Sequence, residues 1–126
     1  MNANAEDFHE RPFDAIGKVS PSVWWNDFDV NTRGAFLVNA AFLRLTKQTP
    51  SVRPTVINIV SNVSFAPPNL SSYFSSKVAV IKFTEILQAE NPELAAYTLN
   101  PGIVNTDITF EGFKPYAKDS RTSPVP

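Results

Sequence analysis

The chain has 126 residues, enough for the core of one domain and too few for two. With 43% hydrophobic residues, 18% charged residues and a net charge of -1, the composition excludes a disordered or membrane-embedded class. It also argues against a dedicated nucleic-acid or anionic-membrane binder, which draws on a positive field. Cysteine is absent, so disulfides and thiolate metal sites are ruled out. His9 is the one histidine and lies among Glu6, Asp7 and Glu10, where it reads as solvated. No metal site and no histidine-based triad is expected.

The first ten residues have neither a basic nor an apolar signal region, and the longest apolar stretch, 35–43, is interrupted by Asn39. The expectation is a cytoplasmic protein with no membrane segment. The sequons at Asn62 and Asn69 then count as chance matches.

Residues 1–20 mix charge, Pro12 and Gly17 without period and read as an irregular segment. Ser20-Pro21 offers an N-cap followed by proline at the first helical position, and Val23, Trp24, Phe28 and Val30 suggest an apolar stripe, so a helix is predicted over 21–29. A second helix, buried along one side, is predicted over 31–47 from Phe36, Leu37, Ala40, Ala41, Leu43 and Leu45. Arg44 and Lys47 at its end suit the helix dipole.

Pro50 and Pro54 mark a loop, after which the β-branched run 55–61 predicts a strand buried on both faces, as parallel sheets require. Pro67, Pro68 and Asn69 form another loop, and Ser71 or Ser72 can cap a helix with its body over 73–90. That helix stops before Asn91-Pro92, and a second short strand covers 94–99, ended by Asn100-Pro101-Gly102. Strand, helix and strand in this order predict a parallel βαβ unit. The organisation expected is therefore an irregular segment over 1–20, one α/β region over 21–110 and an irregular tail over 111–126.

The chemistry-bearing constellation is Ser61 at the end of the first strand and Tyr73-Phe74-Ser75-Ser76-Lys77 on the next helix. Four residues along a helix bring Tyr73 and Lys77 onto one face. An ammonium beside a phenol favours the phenolate form, which lets a tyrosine act as general acid or base near neutrality. Tyr-x-x-x-Lys alone is a weak signal, equally readable as a surface pair on an ordinary helix.

Its company makes it specific. Val-Ile-Asn-Ile-Val-Ser ending at Ser61, Tyr73 through Lys77, Asn100-Pro101-Gly102-Ile103-Val104-Asn105-Thr106, and Val30-Asn31-Thr32-Arg33-Gly34 resemble, in order and spacing, four motifs of the short-chain dehydrogenase/reductase family. The similarity runs from about Trp24 to Ile108.

The resemblance implies a partial Rossmann-type, doubly wound parallel sheet lacking its N-terminal half, and an oxidoreductase that moves hydride between NADP or NAD and a small carbonyl or alcohol substrate. It implies that Tyr73 exchanges the proton with the substrate oxygen, that Ser61 hydrogen-bonds the same oxygen, and that Lys77 supports the tyrosine and grips the nicotinamide ribose. Asn31 would hold a water linking Lys77 to solvent. Val104 and Thr106 would line the carboxamide of the nicotinamide. Helices 31–47 and 73–90 would form any subunit interface.

The pattern departs from the family at the front. The four glycines, at 17, 34, 102 and 112, cannot make a glycine-rich phosphate turn. Asn4-Ala5 faintly resembles the end of an Asn-Asn-Ala-Gly element, with Glu6 in place of glycine. The expectation is a segment truncated at both ends, with both sheet edges open. A second reading follows from that: a catalytically inactive remnant that acts as an interaction module.

Overall fold

The computed structural model describes residues 13–48, 53–64 and 66–104. Residues 1–12, which hold His9 and Asn4-Ala5, the loop proline Pro50, and residues 105–126, which hold Thr106 and the expected tail, lie outside the described residues.

Helix α1 (Pro21–Asp27) begins where the sequence places it. The Ser20 hydroxyl accepts from the Val23 amide at 3.4 Å, and Pro21 fills a position that needs no donor. Trp24 stacks on Phe28 with ring centroids 5.1 Å apart, but Val30 faces solvent and is no part of the stripe.

The expected break between two helices is absent. A π-helical segment (Phe28–Arg33) joins α1 to helix α2 (Gly34–Thr46) without interruption. No residue between Asp27 and Gly34 is a proline, so nothing removes a backbone donor, and the widened turns re-phase the helix instead of ending it. Helix α2 turns one side inward, with Asn39 buried and Phe42 and Leu43 packed against the core, but Phe36, Leu37 and Leu45, counted on that side from the sequence along with Leu43, are largely exposed, as is Val38.

Strand β1 (Thr55–Ile59) pairs in parallel with β2 (Ala95–Leu99), Ile57 opposite Tyr97 and Ile59 opposite Leu99. Helix α3 (Ser71–Glu90) connects them. It starts two residues earlier than predicted, with Leu70 at the cap position and no side-chain cap. Ser71 and Ser72 are spent on α1 instead.

The expectation of a strand buried on both faces fails in a regular way. Val56 and Asn58 are buried, whereas Thr55, Ile57 and Ile59 are exposed. A parallel strand reads as continuously apolar because layers cover both faces. Among the described residues only the face toward α3 is covered, leaving Ile57 56% and Tyr97 58% exposed.

On the covered face Val56, Leu87 and Leu94 form the core, with Phe42, Leu43, Phe83 and Ala96 packed around them. A buried polar chain crosses the same layer. Asn39 Nδ2 donates to Asn58 Oδ1 at 3.0 Å, Asn58 Nδ2 to the Thr84 hydroxyl at 2.9 Å, and that hydroxyl to the Val80 carbonyl at 2.8 Å. The first amide also donates to the Ala35 carbonyl at 2.7 Å. One residue from each of α2, β1 and α3 is thereby tied together, and among the described residues no buried side-chain polar atom lacks a partner. Gln88 pins the start of β2, donating to the Leu94 carbonyl and accepting from the Ala96 amide, both at 2.8 Å.

Candidate active site at the carboxyl end of the sheet

Because the strands are parallel, both deliver their following residues to the same end of the sheet, where open α/β folds bind ligands. Ser61 lies just past β1, half-buried, and the strand pairing extends one step toward it through the Val60 amide, which donates to the Leu99 carbonyl at 2.9 Å. Asn100, Pro101 and Gly102 lie past β2. Gly102 has φ of 76°, and its amide donates to Asn100 Oδ1 at 3.0 Å, so a left-handed glycine turns the chain there.

The first two turns of α3 carry Tyr73 and Lys77, both half-buried. The Lys77 Nζ lies 5.8 Å from the centroid of the Tyr73 ring and donates to the Ile59 carbonyl at 3.2 Å. The lysine therefore folds back over the tyrosine toward the end of β1, and among the described residues its ammonium pairs with no carboxylate. Desolvation holds this ammonium below the ordinary lysine value of 10.5, and the Asp27 carboxylate partly opposes that. No hydrogen bond joins Ser61 to Tyr73.

Asn31 sits in the π-helical segment, and its Nδ2 donates to the hydroxyl of Ser76, a fully buried residue, at 2.9 Å. It thus meets α3 at the residue preceding Lys77. Thr32 donates to the Ser76 carbonyl at 3.1 Å. Val104 is half-buried beyond the Gly102 turn, and Thr106 lies outside the described residues.

Three features escaped the sequence reading. Trp24 Nε1 donates to the Ser71 hydroxyl at 2.9 Å, Ser72 donates to the Asp27 carboxylate, and the Asn39–Asn58–Thr84 chain is buried. The last was detectable, because an asparagine interrupts each of two otherwise apolar runs, Phe36 to Leu43 and Val56 to Val60. The pairing of Asp27 with Ser72 spans 45 residues and leaves no periodic trace.

These groups suit the ribose and nicotinamide portion of a dinucleotide: an ammonium with donors to spare and a phenol beside it at the strand ends. They do not suit its pyrophosphate, for which the chain offers no glycine-rich turn.

The family profile described as short chain dehydrogenase matches residues 3–116. A short chain dehydrogenase of Emericella variicolor is 36% identical over 107 residues, covering 80% of this chain and 36% of that protein. A short-chain type dehydrogenase/reductase of Picea abies is 32% identical over 103 residues, covering 79% of this chain and 37% of that one. The chain thus spans little more than a third of the length of these curated relatives. Among solved structures, an alcohol dehydrogenase of the archaeon Thermococcus sibiricus, complexed with 5-hydroxy-NADP, superposes with a TM-score of 0.66 at 27% identity, over 75% of this chain and 39% of that one. A short chain dehydrogenase/reductase of Saccharomyces cerevisiae shares the fold, with a TM-score of 0.72 at 22% identity over 90% of this chain and 45% of that one. The partial Rossmann-type sheet and its motifs are therefore those of the short chain dehydrogenase family, to which this chain belongs.

Proposed function

We propose that the chain carries the proton-transfer and ribose-binding portion of a nicotinamide-dependent oxidoreductase acting on a small carbonyl or alcohol. The observation that carries this reading is Lys77, drawn over the Tyr73 ring and bonded to the Ile59 carbonyl at the mouth of the sheet. NADP or NAD, when bound, supplies or accepts the hydride. Tyr73 gives its phenolic proton to the substrate oxygen in reduction and takes it back in oxidation. Ser61, just past β1, donates a hydrogen bond to that oxygen as negative charge develops on it. Lys77, its ammonium over the Tyr73 ring, offers its remaining N–H donors to the ribose hydroxyls. Asn31 holds a water between Lys77 and solvent, while Val104 and Thr106 border the carboxamide.

The complexed nucleotide of the Thermococcus sibiricus relative supports the choice of cofactor class. Exposed Phe36, Leu37 and Val38 on α2, with Val78 and Ile86 on α3, supply apolar surface for association through the two helices named from the sequence. No helix among the described residues is long and apolar enough to cross a membrane.

The test is single-turnover oxidation of the reduced dinucleotide by a small aldehyde or ketone. Wild-type protein is expected to turn over, and Tyr73→Phe to slow it by about 10²–10⁴-fold, the usual contribution of a general acid. Equal rates in the two proteins, or no turnover in either, would overturn the reading.

A further inference from the structure

The inner side of α3 buries three hydroxyls, those of Ser72, Ser76 and Thr84, and two of them make the same kind of relay. Asn58 Nδ2 donates to the Thr84 hydroxyl at 2.9 Å, which donates to the Val80 carbonyl at 2.8 Å. Asn31 Nδ2 donates to the Ser76 hydroxyl at 2.9 Å, which donates to the Tyr73 carbonyl at 2.7 Å. In each case an asparagine amide on a neighbouring element is joined through a buried hydroxyl to the backbone of α3. The relays differ in where they end. Thr84 reaches back four residues to the aliphatic Val80, whereas the fully buried Ser76 reaches back three to Tyr73 and stands directly before Lys77.

Ser76 is held by its backbone as well. Thr32 donates to the Ser76 carbonyl at 3.1 Å, and that carbonyl shares one planar peptide unit with the Lys77 amide. Four residues along the same α-helix, the Lys77 amide is directed at the Tyr73 carbonyl, the oxygen that also receives the Ser76 hydroxyl. Asn31 and Thr32, adjacent in the π-helical segment, thus grip the turn of α3 that runs from Tyr73 to Lys77. The direction of a helical side chain follows from the backbone that carries it. The grip therefore bears on the two relations that define the pair: Lys77 Nζ 5.8 Å from the Tyr73 ring centroid, and 3.2 Å from the Ile59 carbonyl.

We propose that Ser76 is a positioning residue for the Tyr73–Lys77 pair: its buried hydroxyl, accepting from Asn31 and donating to the Tyr73 carbonyl, couples the π-helical segment to the turn that bears both groups and so directs the Lys77 ammonium over the ring toward the end of β1. This deepens the redox reading of the same site and takes its functional meaning from it. An alanine at this position would leave the Asn31 amide without its acceptor and the Tyr73 carbonyl without its second donor, and the turn would lose its link to Asn31.

The experiment is proton–carbon correlation spectroscopy of the full chain carrying ¹³C-labelled lysine, in the absence of dinucleotide. The ring current of Tyr73 is expected to shift the Lys77 ε-methylene signal away from those of the exposed Lys18, Lys47 and Lys82, and its loss in Lys77→Arg assigns it. Ser76→Ala is expected to lose most of that shift while remaining folded. Thr84→Val, which breaks the other relay and also lowers stability, is expected to leave the shift in place, so destabilisation by itself does not produce the effect. Should Ser76→Ala not fold, Asn31→Ala removes the donor of the same relay from a half-buried position and is expected to lose the shift too. A Lys77 signal that is unshifted in the wild-type chain, unmoved in the folded Ser76 or Asn31 variant, or moved as far by Thr84→Val overturns the proposal. Since no turnover is measured, failure of the redox reading shows separately, in the assay with Tyr73→Phe.

Discussion

The ammonium of Lys77 donates to the carbonyl of Ile59 at 3.2 Å, so a helix side chain grips the last residue of the strand that leads to Ser61. The contact joins the elements carrying the two ends of the expected site.

It also has a pH signature. Burial lowers the affinity of this ammonium for its proton relative to the unfolded chain, so in the interval between the two pKa values the unfolded state holds more protons and stability rises with pH. The cost of burial is fully present below the folded-state value and is gone above the ordinary lysine value of 10.5. Urea denaturation across an alkaline pH series is expected to show this rise in wild-type protein and to show it reduced in Lys77→Met. The same rise in both would mean that another group is responsible.

The chain from Asn39 through Asn58 to Thr84 makes a sharper stability prediction. Thr84→Val keeps the shape but leaves Asn58 Nδ2 without its acceptor, at a cost of about 1–3 kcal/mol. Thr84→Ser keeps the hydroxyl and is expected to cost less. Chemical denaturation of the two variants checks this, and a valine variant as stable as the serine variant contradicts it.

The sequence carried much of this arrangement, for reasons that lie in particular residues. Ser20-Pro21 marks the start of α1 because capping chemistry is local. The β-branched run at 55–59 and the Pro-Gly after Leu99 mark the strand and its exit for the same reason. What was missed depends on other elements. Ser71 and Ser72 look like caps in isolation, yet α1 supplies Trp24 and Asp27 to bind them, and tertiary partners displaced the local role. The run through Asn31 looks like a helix boundary, but a π-helical segment preserves continuity while carrying Asn31 and Thr32 onto Ser76. Ile57 and Ile59 announce a strand covered on both faces, and nothing within the strand says whether the second cover lies in the same stretch of chain.

That uncovered face separates two kinds of apolar residue. Leu94→Ala, in the closed layer, is expected to cost about 2–5 kcal/mol, because Leu94 is fully buried. Ile57→Thr with Tyr97→Thr, on the open face, is expected to change stability little and to reduce self-association measured by sedimentation velocity. Comparable destabilisation by the two sets would show that the open face is covered in solution.

At the exit of β2 the backbone itself is under test. Gly102 has φ of 76° and open space where a Cβ would stand, so Gly102→Ala meets backbone strain without a clash. The expected cost is about 1–2 kcal/mol. Gly102→Asn, which tolerates the left-handed region better, is expected to cost less in thermal denaturation. Alanine matching glycine would exclude a left-handed turn there.

The central claim is that Tyr73 and Lys77 together form a seat for a nicotinamide ribose. Titration of the purified chain with reduced dinucleotide, followed by nicotinamide fluorescence, tests it most directly. The account predicts saturable enhancement that disappears in the double variant Tyr73→Phe, Lys77→Ala. A flat titration of the wild-type chain, or enhancement that survives both substitutions, would contradict it.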